Sequence, residues 1–154
     1  MNDYSEIIGS IKTTEDRDRL YSEIELVSEA MYKEGEFENV LNSQISKDFL
    51  DHIGGQTSAG VLSQKLSDLK KVLDSLTVVK LTLAFEPSES ATNRIIAFIR
   101  QNLSEKTILE IRQEPSILGG LIFEFKGLYR DYALKTKLDE LFNTKREEIL
   151  NPKH

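Results

Sequence analysis

Leu73-Asp74-Ser75-Leu76-Thr77-Val78-Val79-Lys80-Leu81-Thr82-Leu83-Ala84-Phe85 is the stretch in which the apolar pattern of this chain changes its period. Upstream, Leu62, Leu66, Leu69, Leu73 and Leu76 alternate steps of four and three, which sets them on one face of an α-helix. From Thr77 onward, β-branched and aliphatic residues crowd together over a run short enough to be a strand. The switch predicts an α+β fold. A shortened helical bundle occupies residues 1–76, and a small mixed-sheet domain of β-α-β-β-β-α order, closing on a helix, occupies 77–154.

Outward from that switch the same reading continues. Thr13-Thr14 precede a helix with Leu20, Ile24, Val27 and Met31 on one face, and Glu15 and Asp16 favour the positive end of its dipole. Gly35 is a plausible stop. Two shorter segments follow, one with Phe37, Val40 and Leu41, the other from Ser46 with Phe49, Leu50 and Ile53, ended by Gly54-Gly55. The leucine-striped helix starts near Thr57-Ser58. On the other side, Pro87-Ser88 breaks the first strand and opens a helix carrying Ala91, Ile95, Phe98, Ile99 and Leu103. Thr107 to Arg112 returns to strand character, and Glu114 to Gly120 interrupts it. Leu121–Phe125 and Leu128–Tyr132 flank Lys126-Gly127, a two-residue hairpin signal. A helix from about Ala133, with Leu134, Leu138, Leu141 and Phe142, is expected to fray from Lys145 to His154.

The chain has 154 residues, 39% hydrophobic and 30% charged, which suits one soluble domain or one with an appendage. It has no cysteine, so disulfide scaffolds and thiol catalysis are excluded. Met1-Asn2-Asp3-Tyr4-Ser5-Glu6 is acidic and unlike a signal peptide. No apolar run approaches the ~20 residues of a membrane span. A soluble chain needing no export signal is therefore expected. Net charge is −6 and unevenly spread: residues 1–76 hold eight basic and fifteen acidic groups, residues 77–154 twelve and eleven. Neither half has the basic stripe that nucleic acid requires, so no nucleic-acid partner is expected.

Catalytic constellations fail in turn. His154 is terminal, and His52 stands beside Asp51 with no second His or Cys to share a metal. Gly55-Gln56-Thr57-Ser58-Ala59-Gly60 superficially resembles a phosphate loop, but Val61 and Leu62 stand where Lys and Ser/Thr are needed. Glu34, Glu36 and Glu38 read as a solvated run rather than an acid–base pair. Phe123, Phe125, Tyr129 and Tyr132 suggest base stacking, yet Glu124 sits among them, and sheet packing is the better account. The expectation is a chain with no catalytic residues, no metal and no cofactor.

Glu114-Pro115-Ser116-Ile117-Leu118-Gly119-Gly120, the alternating strand after it, the Gly127 turn, Asp131 and the Lys135–Leu141 helix together resemble the C-terminal domain of the ATP synthase delta subunit, the family of the oligomycin-sensitivity-conferring protein. That family usually reads Asp-Pro-Ser-Leu-Ile-Gly-Gly, so Glu114 is a conservative departure and Ile117-Leu118 exchanges two aliphatics. Asp131, Lys137 and Leu138 match the following segment, whereas Tyr132 and Ala133 replace a Gly-Ser pair. The resemblance covers roughly residues 77–142. Physically, Pro115 should stop regular pairing, and Gly119-Gly120 should supply positive φ or close backbone approach. Ile117-Leu118 between them either plugs the core or presents apolar surface to a partner.

What the resemblance implies is a non-catalytic stator subunit of the peripheral stalk of a proton- or sodium-driven ATP synthase. Its helical half would grip the N-terminus of the alpha subunit, and its α/β half the C-terminus of the b subunit. It would lie at the cytoplasmic face of the cell membrane, without inserting, and be a monomer when isolated. Candidate anchors for the partners are Leu20, Ile24, Val27 and Met31 in the first half and Ile117, Leu118, Leu134 and Leu138 in the second. The same stripes serve equally as intramolecular core. A rival reading is a small ligand-binding or regulatory α/β module whose Leu62–Leu76 stripe is a helical dimerisation arm.

Overall fold

The computed structural model describes residues 4–33, 35–54 and 58–150. Glu34, Gly55-Gln56-Thr57, His154 and the side chain of His52 lie outside the described residues. The elements are α1 (Ser5–Ser10), α2 (Thr14–Ala30), α3 (Glu36–Ser43), α4 (Lys47–Ile53), α5 (Ala59–Asp74), β1 (Thr77–Leu83), α6 (Glu89–Asn102), β2 (Thr107–Gln113), a 3-10 turn (Pro115–Ile117), β3 (Leu121–Phe125), β4 (Leu128–Asp131) and α7 (Leu134–Leu150). Helices followed by a four-stranded mixed sheet make the fold α+β. The chain divides into two compact units, Met1–Thr77 with Ile96–Ile108 and Val78–Ile95 with Leu109–His154.

The first unit is built on α2 and α5. Thr13 and Asp16 form a reciprocal capping box at the start of α2: Thr13 Oγ1 accepts the Asp16 N–H at 3.2 Å, and Asp16 Oδ2 accepts that of Thr13 at 3.1 Å. Asp16 also accepts the Lys12 N–H. From this fixed start α2 buries Leu20, Ile24, Val27 and Ala30, and α5 buries Leu62, Leu66, Leu69 and Leu73. The leucine stripe is therefore spent inside the unit, where Phe49 and Ile53 of α4 are also buried. Glu23 is buried too. Its carboxylate accepts the backbone N–H of Ser46 at 3.3 Å and the Ser46 hydroxyl at 2.9 Å, which pairs the buried acid and fixes the residue that precedes α4. No periodicity announces α1, since six residues are too few to show one; Ile7 within it and Ile11 just after it are both buried.

In the second unit the sheet runs β2-β1-β3-β4, with β1–β3 and β3–β4 antiparallel. Alternation puts Leu81 opposite Phe123 and Leu83 opposite Leu121, while Lys80 faces Glu124 on the other surface. Lys126 (φ 46°) and Gly127 (φ 81°) both take positive φ, as a two-residue hairpin of matching twist requires. The closing helix α7 continues to Leu150 rather than fraying from Lys145.

Candidate partner-binding surfaces

The Glu114–Gly120 segment acts through its backbone. The Glu114 N–H closes on Leu83 O at 2.8 Å, and the chain then leaves the ladder at Pro115 in a single 3-10 turn. The Glu114 carboxylate caps that turn by accepting the Ser116 N–H at 3.2 Å. The bond from Ser116, aided by the nearby Lys135, holds the Glu114 carboxyl below the usual range. Ile117 turns inward to meet Ala84 and Ala133, with Ile122 packed against them. Leu118 turns outward in the left-handed region at φ 65°, 55% exposed. The aliphatic pair thus divides: one plugs the core, the other faces solvent.

The two glycines bring in the closing helix. A Cβ at Gly120, which sits at φ 75°, would overlap the Tyr132 carbonyl oxygen. The Leu134 N–H bonds Gly119 O at 2.9 Å and the Tyr132 N–H bonds Leu121 O at 2.8 Å. Asp131 completes the junction, its Oδ1 accepting the Ala133 N–H and its Oδ2 the Thr136 hydroxyl, each at 2.8 Å. Motif, Asp131 and helix start are one local device that aims α7.

Along α7, Leu134, Leu138, Leu141 and Phe142 recur at spacings of four, seven and eight residues, which places them on one face. Leu134 is 45% exposed, Leu138 half-buried, Leu141 55% and Phe142 66% exposed. With Leu118 beside its start, this helix carries an apolar face that the unit does not cover. The stripe that picks out Leu134 and Leu138 as candidates runs on through the more exposed Leu141 and Phe142. In the first unit Leu20, Ile24 and Val27 are buried, with no free surface to offer, and Met31 is half-buried. Ile117 likewise belongs to the core. Of the eight candidate anchors, Leu118 and Leu134 are exposed and Met31 and Leu138 partly so.

Among the described residues of the first unit, two clefts flank α1. An open groove of about 920 Å³ is lined by Tyr4, Ser5, Ile8 and Gly9 of the α1 region, Val72 of α5, and Arg100, Gln101, Glu105 and Lys106. A smaller one of about 270 Å³ has Ile7, Ser10 and Ile11 on one side and Leu20, Glu23 and Phe49 on the other. Among the described residues no group of three acidic or histidine side chains is placed to hold a metal ion, and no helix is long and apolar enough to cross a membrane.

The Glu114–Gly120 joint thus sets the start of α7, a helix whose apolar face the second unit leaves exposed. The family model described as ATP synthase delta (OSCP) subunit matches residues 49–144. Two curated relatives are both named ATP synthase subunit delta. That of Aquifex aeolicus is 31% identical over 62 residues, 40% of this chain and 34% of its own length. That of Desulforapulum autotrophicum is 27% identical over 129 residues, 77% of this chain and 70% of its own length. The chain belongs to the ATP synthase delta (OSCP) subunit family. It aligns with only about a third of the Aquifex protein.

Proposed function

We propose that this chain is a non-catalytic stator subunit in the peripheral stalk of a rotary ATP synthase, holding the catalytic head against the torque of the rotor. Family membership over residues 49–144 supports this reading, and the observation that carries it furthest is the uncovered apolar face of α7 with Leu118 at its foot. The helical unit binds the N-terminal segment of the alpha subunit, with half-buried Met31 its one candidate anchor that keeps surface. The second unit binds the C-terminal helix of the b subunit, laying Leu118, Leu134, Leu138, Leu141 and Phe142 along it. The chain does its work by binding free energy alone. It hydrolyses nothing and contributes to ATP synthesis and ion transport by keeping the complex assembled. It works as a peripheral component at the cytoplasmic face of the cell membrane.

The dimerisation-arm reading has lost its instrument, because Leu62, Leu66, Leu69 and Leu73 are all buried within the first unit. Titrating the protein with two synthetic peptides, the alpha N-terminus and the b C-terminus of the same organism's synthase, tests the proposal. Saturable binding of each at one site is expected. Failure of both to bind a folded, monomeric sample overturns it.

A further inference from the structure

α1 is held in an unusual way. Six residues cannot sustain a helix in water, since nucleation costs more than so few hydrogen bonds return. Its C-terminal carbonyls are met by one side chain from far along the sequence. Arg100 Nη2 donates to Ile8 O at 3.1 Å and to Ile11 O at 2.5 Å, and Nη1 donates to Gly9 O at 3.3 Å. Nε donates to Thr107 O at 3.0 Å, which fixes the guanidinium itself. A cation at a helix C-terminus is favoured by the dipole, and the forked guanidinium suits several carbonyls at once. Besides this clip, Ile7 and Ile11 are buried, and α1 borders a cleft of about 920 Å³ along Tyr4, Ser5, Ile8 and Gly9 and another of about 270 Å³ along Ile7, Ser10 and Ile11. Among the described residues, α1 is thus flanked by a cleft on either side.

We infer that α1 is a strap latched by Arg100, which opens as a unit while the α2–α5 core stays folded. Opening withdraws Ile7 and Ile11 from their seats and runs the two clefts together into one trough floored by Leu20, Phe49 and Val72. The latch is a set of bonds to neutral carbonyls, with the charge of Glu105 acting on the same guanidinium.

Amide hydrogen exchange on the full chain, read residue by residue by NMR, tests this. Ile8 and Ile11, whose N–H groups bond Tyr4 O and Ile7 O, should exchange at least about a hundredfold faster than Leu66, Leu69 and Leu73 in the wild-type protein, as expected of local rather than global opening. Arg100→Met should speed Ile8 and Ile11 about tenfold further and leave the α5 amides unchanged, and Arg100→Lys, which keeps the charge but loses the fork, should fall between. Wild-type exchange at Ile8 and Ile11 as slow as in α5 overturns the inference without any variant. So does an Arg100→Met effect of equal size in α1 and α5.

Discussion

Gly120 shows how much one residue can fix. It combines positive φ with a backbone oxygen where a Cβ would go, and the obstructing atom is main chain and cannot swing aside. Gly120→Ala should therefore cost at least about 2 kcal/mol, measured as a lowered denaturation midpoint, whereas Gly9→Ala, with open space around it, should cost little. Leu118 is the opposite case, an exposed leucine held at φ 65°. Leu118→Gly relieves that conformation and should leave stability within about 1 kcal/mol of wild type. The same change should weaken binding of the b-subunit peptide at least about fivefold, an outcome a purely structural role does not give. Tyr21 offers a pH signature. Burial, then its hydrogen bond to Asp74, pushes the phenol from 10.0 up to about 12. The folded chain thus holds this proton more firmly than the unfolded chain. The resulting stabilisation is complete below pH 10 and drains away as pH rises from about 10 to about 12. In an ultraviolet titration one of the five tyrosines should ionise late, and Asp74→Asn should bring it earlier.

At the level of elements, legibility followed period. The helix α5, the strands and the Lys126-Gly127 hairpin could be read because their spacing, turn chemistry and burial agree. α1 could not be, since six residues show no period and the side chain that meets its carbonyls, Arg100, stands some ninety positions away. The anchors divided along the same line. Period identifies a buried face but not what covers it, so Leu20, Ile24 and Val27 proved to be core while Leu141 and Phe142, on an equally regular stripe, stand in solvent. That α7 face is expected to work as an element. Leu141→Glu with Phe142→Ser should change folding stability by no more than about 0.5 kcal/mol, as substitutions at exposed positions usually do. The pair should nonetheless abolish b-peptide binding in calorimetry. Asp131→Ala, which removes the acceptor for Ala133 and Thr136, should cost about 1 kcal/mol and loosen the start of the helix.

For the whole molecule, the sequence pointed to the family through Glu114–Gly120, and the structure supplies the reason that stretch is informative: it is the joint that sets α7 on the sheet. Under the proposed stator reading, each of the two compact units offers one partner-binding handle. Reconstitution measures the claim most directly. Membrane vesicles stripped of their own delta subunit, from the organism that supplies this chain, are given the purified protein, and ATP-driven ion pumping is followed. The account predicts that pumping is restored by the wild-type chain and not by the Leu141→Glu, Phe142→Ser variant. Vesicles that hydrolyse ATP yet remain unable to pump after addition of the folded wild-type protein would contradict it.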